Sequence, residues 1–283
     1  MAKFANMNFH YHRYPFEYFL DSTVKLGLPA IELWGGAPHV YVGDASHGDI
    51  VAMRQEIERR GLELVCFTPE QCIYPINLSA KDDTLRMRSV DYFKKCIGVA
   101  NTLETSMLLV TVGYGFYNEP AEEAWNRGRE SLRVLAEEAE RQGIILALEP
   151  MSKMGSNLIT DLKSLERMYN EVNAPAMKVL LDTVPMTLGG DSFEAYHAAF
   201  GDDLAHIHFL DGDGKTSAHL GWGMGVLPLE QYAKSLETIG YDGWLTLELI
   251  GPQYNWEPEA FTRQSLERLS QVFGPINERE ELK

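Results

Sequence analysis

Three carboxylates and one imidazole are the groups best placed to do chemistry in this chain: Glu149, Asp182, His208 and Glu248. Each stands at or near the end of a short apolar run. Leu146-Ala147-Leu148 leads into Glu149-Pro150, Val179-Leu180-Leu181 into Asp182, and Leu245-Thr246-Leu247 into Glu248, while His206-Ile207-His208 precedes Asp211. A carboxylate is rarely buried without a partner, and three converging without a cation would repel and raise one another's pKa. One divalent metal removes the conflict. Oxygen ligands with a single imidazole suit a hard ion, so Mn²⁺ is the expectation, with Co²⁺ or Mg²⁺ as substitutes. A lone strand-end glutamate is more often salt-bridged or solvated. Four such residues on consecutive runs favour the metal. His206 and His208 are two residues apart and share one side of a strand. His208 lies nearer the carboxyl end and is the expected ligand, with His206 as its support.

Such residues need a scaffold that gathers strand ends at one mouth. Strand-like runs cover residues 3–8, 30–34, 63–68, 106–112, 144–149, 177–182, 205–210 and 245–250. Amphipathic helical stretches separate them, most clearly 82–100, 120–142, 161–171, 229–239 and 259–272. This alternation predicts βαβ units and a parallel sheet. Glycines at 27, 61, 143 and 240 fall where helical patterns stop, as C-terminal caps do. No linker-like tract divides the chain, so residues 1–283 read as a single (β/α)8 TIM barrel, with a charged, flexible tail at 277–283. A doubly wound sheet would call for a GxGxxG turn after the first strand, and none is present.

Composition narrows the partners. The formal charge is −16, the opposite of what the phosphates of nucleic acid or an anionic membrane attract. Cys66, Cys72 and Cys96 form neither a zinc spacing nor an even disulfide set, so they read as free thiols in a reducing compartment. With no membrane-length apolar run and no signal-like start, a cytoplasmic enzyme is expected. Apolar and aromatic residues on several helical stretches would allow a homodimer or homotetramer.

At this point the chain resembles the sugar isomerase/epimerase barrels related to xylose isomerase, and within them the ketose 3-epimerases of the tagatose, psicose (allulose) and fructoselysine types. The likeness is carried by Ile31-Glu32-Leu33-Trp34-Gly35-Gly36-Ala37-Pro38-His39, Thr68-Pro69-Glu70 with Tyr74-Pro75, Leu148-Glu149-Pro150, Leu181-Asp182, His206-Ile207-His208 with Asp211, and Gly240-Tyr241-Asp242-Gly243 before Leu247-Glu248. It implies a metal held by Glu149, Asp182, His208 and Glu248, and a sugar as substrate. Two departures stand out. Sugar 3-epimerases commonly place a His a few residues after the metal Asp, where this chain has Thr183-Val184-Pro185, and an Arg on the loop after the His strand, where it has Lys215. Both weakly favour the fructoselysine-type branch.

Proton transfer beside a ketone needs a base, an acid and support for the developing oxyanion, which a cation supplies as a Lewis acid. Glu149 and Glu248 are the expected acid/base pair. Trp34, His39, Glu70, His219 and Trp222 are the expected sugar-binding residues, although a tryptophan there can equally fill core space. The same barrel and ligands would also serve aldose–ketose isomerisation, hydroxypyruvate isomerisation or inosose dehydration. An endonuclease-IV-like phosphodiesterase would need more metal ligands and a basic surface. A non-catalytic sugar-binding barrel is the remaining alternative.

Overall fold

Apolar runs too short for helices form eight parallel strands, which hydrogen-bond in chain order and close on themselves: β1-β2-β3-β4-β5-β6-β7-β8. The computed structural model describes residues 2–71 and 76–276. Cys72, the Tyr74-Pro75 motif and the tail at 277–283 lie outside the described residues. The strands are β1 (Lys3–Met7), β2 (Ala30–Gly35), β3 (Glu63–Pro69), β4 (Met107–Val110), β5 (Ile145–Leu148), β6 (Met177–Asp182), β7 (Leu204–His208) and β8 (Trp244–Leu247). β1 closes the ring by pairing with both β2 and β8.

Helices clothe the ring: α1 (Phe16–Lys25), α2 (His47–Arg59), α3 (Asp83–Thr102), α4 (Ala121–Gln142), α5 (Leu162–Val172), α6 (Thr183–Gly189), α7 (Phe193–Phe200), α8 (Leu229–Ile239) and α9 (Pro258–Phe273). Their ends follow local chemistry. Ser46–Asp49 and Asp161–Ser164 make reciprocal capping boxes at α2 and α5. Gly143 (φ 69°) and Gly240 (φ 66°) end α4 and α8 in the left-handed conformation that a side chain would strain. Among the described residues, no helix is long and apolar enough to cross a membrane.

Two layers of core result. A large cluster, including Phe67, Leu132, Leu148, Leu181 and Phe209, fills the space between strands and helices. A smaller one, Ala5, Ala30, Val65, Cys66, Leu109, Ala147 and Leu180, plugs the inside of the ring. Strand side chains alternate between these layers. Two residues beyond the plug, the inward positions become polar: Glu32 after Ala30, Thr68 after Cys66, Glu149 after Ala147 and Asp182 after Leu180. An irregularity between β6 and β7 pairs Val179 with Leu204 but Leu180 with His206 and Asp182 with His208. That shift brings both histidines to the level of the acids.

Candidate metal centre

Asp182 and His208 end β6 and β7, whereas Glu149 and Glu248 sit one residue past β5 and β8. Glu149 still donates its backbone N–H to Val110 O (3.0 Å), so the ladder fixes its position. One donor atom from each of the four side chains lies within 4.8 Å of every other. His208 Nδ1 is the hub, 3.2 Å from Glu149 Oε1, 3.1 Å from Glu248 Oε2 and 3.9 Å from Asp182 Oδ2. None of the four is more than 9% exposed. Asp182 divides its oxygens: Oδ1 accepts from Val184 N (2.6 Å) and caps α6, leaving Oδ2 for the cluster.

Below this group lies a second polar layer. Glu32, wholly buried, accepts from His206 Nε2 (2.8 Å), from His208 Nε2 (3.0 Å) and from the Thr68 hydroxyl. Thr246 Oγ1 lies 2.9 Å from the same His206 nitrogen. Burial alone would raise the Glu32 pKa, but His208 and His206 pull it well below the ordinary carboxylate range. An ionised carboxylate only accepts, so the proton of neutral His208 sits on Nε2 and Nδ1 presents a lone pair. That Nδ1 is buried and has no hydrogen-bond partner. A bare nitrogen facing three carboxylates is repulsive unless a cation stands between them, so the donor set fits a divalent ion. Without an ion, burial depresses the His208 pKa while Glu32 and Glu248 raise it, leaving it well above the usual imidazole value. Burial, opposed by His208 and assisted by Glu248 and Asp182, pushes Glu149 up to about 7.

The five residues expected to bind sugar fall in four places. His219 comes to the cluster itself, with Nε2 3.1 Å from Asp182 Oδ2 and 3.5 Å from Glu248 Oε2. It approaches the Asp from the loop after β7, in a chain that lacks the His expected just after Asp182. Trp34 and Glu70 stand one pleat above Glu32 and Thr68, both half-buried and joined by Trp34 Nε1 donating to Glu70 Oε2 (3.1 Å). The Trp34 ring packs on Phe9. His39 has both nitrogens engaged within the protein, Nδ1 with Asn8 Nδ2 (2.8 Å) and Nε2 with Tyr14 O (2.8 Å). It ties the loop after β2 to the start of the chain.

Trp222 is not brought to the mouth. It is 1% exposed, packs on Phe209 and donates its indole N–H to Phe209 O (3.0 Å). Its glycine-rich loop is folded back by Asp211, whose buried carboxylate accepts backbone N–H groups from Gly212, Gly223, Gly225 and Leu227. Glu32 is the residue that sequence reasoning missed as part of the site. Its signal was a third copy of the pattern that carries Glu149 and Glu248, a glycine followed by an apolar run ending in glutamate.

The family model described as xylose isomerase-like TIM barrel matches residues 20–272. The chain is 30% identical over 269 residues to the fructoselysine 3-epimerase of Shigella flexneri, covering 95% of this chain and 97% of that protein. It is 23% identical to the D-psicose 3-epimerase of Agrobacterium fabrum, covering 81% and 78%. Among solved structures, D-psicose 3-epimerase from Clostridium cellulolyticum H10 with D-tagatose superposes at a TM-score of 0.79 and 20% identity, over 96% of this chain and 99% of that one. At that identity the likeness speaks for the fold.

Proposed function

The chain belongs to the xylose isomerase-like TIM barrel family, and from that premise we propose that it is a metal-dependent carbohydrate epimerase. Its reaction is inversion at C3 of a ketose or fructosamine, by proton transfer at the carbon beside the keto group. The relatives named fructoselysine and D-psicose 3-epimerases support this substrate class. The observation that carries the reading is the pair of carboxylates flanking one bare imidazole nitrogen, Glu149 at 3.2 Å and Glu248 at 3.1 Å from His208 Nδ1. Glu149, Asp182, His208 and Glu248 would hold one divalent ion, Mn²⁺ being the best match to the donors. When bound, it would act as a Lewis acid toward the substrate's carbonyl oxygen.

The chain's own groups then have defined tasks. One of the two glutamates takes the C3 proton from one face, and the C–H electron pair moves into the C2–C3 bond as the carbonyl oxygen gains charge. The other delivers a proton to the opposite face of C3, re-forming the ketone with inverted configuration.

The test is a panel of ketoses and fructosamines incubated with Mn²⁺ in deuterated water. Deuterium at C3 of a new epimer is the expected product, absent from Glu149→Gln and Glu248→Gln. Label at C1 or C2 with an aldose would show isomerisation instead. Exchange at near wild-type rate in both variants would remove the acid/base roles.

A further inference from the structure

The contacts of His219 mark it as more than a neighbour of the acids. Its Nδ1 lies 2.9 Å from Ser217 O, and a carbonyl only accepts, so that nitrogen carries a proton. The other nitrogen, Nε2, meets Asp182 Oδ2 and Glu248 Oε2: a second proton there is donated to Asp182, and an ion would take that proton's place on the lone pair. His208 shows the same design, with one nitrogen's proton held by an acceptor behind it and the other nitrogen free toward the carboxylates.

We propose that His219 Nε2 is a fifth protein donor to the ion gathered by Glu149, Asp182, His208 and Glu248; the inference rests on the reading of that cluster as a metal centre. Donors about 2.1 Å from one ion stand about 3.0 Å apart when adjacent and about 4.2 Å apart when opposite in octahedral geometry. His219 Nε2 is 3.1 Å from Asp182 Oδ2 and 3.5 Å from Glu248 Oε2, both adjacent-type spacings. His208 Nδ1 lies 3.1 Å from Glu248 Oε2 and 3.2 Å from Glu149 Oε1, again adjacent, but 3.9 Å from Asp182 Oδ2, close to opposite. His219 thus stands at ligand spacing from two of the four donors, Asp182 and Glu248, on the side of the cluster that the loop after β7 approaches.

The loop that carries His219 is built to hold it there. Leu220, its neighbour, pairs backbone to backbone with Asp211 (2.9 and 3.0 Å), and His219 O accepts from Ile250 N (3.2 Å). The four N–H bonds to the Asp211 carboxylate fix the return of the loop. At Gly225 a Cβ would come within 2.3 Å of Asp211 Oδ1, so only glycine leaves room for that anchor. Such preorganisation on a rigid loop is what a ligand requires and a passing surface histidine does not.

The decisive measurement is pulsed EPR of the Mn²⁺-loaded full chain, with and without ¹⁵N-labelled histidine, beside calorimetric Mn²⁺ titration. Two directly bound imidazole nitrogens are expected in the wild type and one in His219→Gln, with the Mn²⁺ dissociation constant raised tenfold or more. A single bound nitrogen in the wild type, unchanged in His219→Gln while the ion still binds, overturns the fifth donor and leaves the four-residue centre standing. Two nitrogens persisting in His219→Gln also overturn it. No ion bound by the wild type overturns both. The wild-type count decides the matter even if His219→Gln fails to fold.

Discussion

Replacing Glu32 with leucine tests whether the layer beneath the cluster sets its affinity for metal. The substitution keeps approximate volume and removes every acceptor. The N–H groups of His206 and His208 and the Thr68 hydroxyl lose the carboxylate they share. His206 keeps Thr246 at 2.9 Å, but His208 Nε2 has no substitute. Its proton then gains by moving to Nδ1, where Glu149 and Glu248 accept it, and that is the nitrogen the ion needs. Restoring the proton to an unpartnered Nε2 costs about 1.5–3 kcal/mol, the worth of a hydrogen bond to a charged group. At 1.4 kcal/mol per tenfold, Mn²⁺ affinity should fall about 10- to 100-fold. The metal-free protein should also lose about 3–5 kcal/mol of unfolding free energy, as when one partner of a buried ion pair is removed. Calorimetric Mn²⁺ titration at pH 8 and urea unfolding in chelator read the two effects separately. Glu32→Gln, which keeps one acceptor oxygen, should fall between wild type and Glu32→Leu. A Glu32→Leu protein that folds and binds Mn²⁺ within threefold of wild type would refute the tautomer reasoning.

Two further outcomes follow from the same geometry. Protons compete with the ion for His208, which Glu32 and Glu248 hold well above the usual imidazole range against the effect of burial, for Glu149, pushed up to about 7 by burial and its acidic neighbours, and for His219, which Asp182 and Glu248 raise to about 9 against the effect of burial. Mn²⁺ affinity should therefore rise with pH, steeply up to pH 7 and more gently to pH 9, with proton release visible by calorimetry in buffers of different ionisation heat. A dissociation constant that is flat between pH 6 and 8 would contradict it. Trp222→Phe should cost about 2–4 kcal/mol of stability, from the lost indole bond to Phe209 O and the space left behind. Sugar affinity of the Mn²⁺-loaded variant should stay within twofold, and a tenfold loss at unchanged stability would place Trp222 against substrate after all.

Residues at strand ends were legible because a barrel makes the end of a strand and the face of the site the same place. Glu149-Pro150, Asp182 and Glu248 each interrupt an apolar run with a charge that burial would penalise, and no helix-face explanation competes. Strand limits were less legible. The run 245–250 continues beyond Leu247 because Leu249 is still wholly buried, although β8 ends at Leu247. Apolar composition reports burial, and only register reports pairing. The short α6, with Pro185 inside it, offers too few turns for a helical period to show. Glu32 escaped for a different reason. Its place in the layer beneath the metal depends on β2 pairing β3 across a shift between Ile31 and Glu32, and on a histidine strand more than 170 residues away, with separations of 174 and 176. The glycine and apolar run before Glu32 mark it as one more strand acid, but contacts of that range leave no local mark of the histidines it serves. The glycine loop after β7 shows the same limit from the other side. Its composition reads as open and ligand-facing, yet one buried carboxylate, Asp211, collects its N–H groups and sends Trp222 into the core while turning His219 toward the acids. Two residues three apart in one loop thus have opposite fates, and the anchor that separates them sits eight residues before the first.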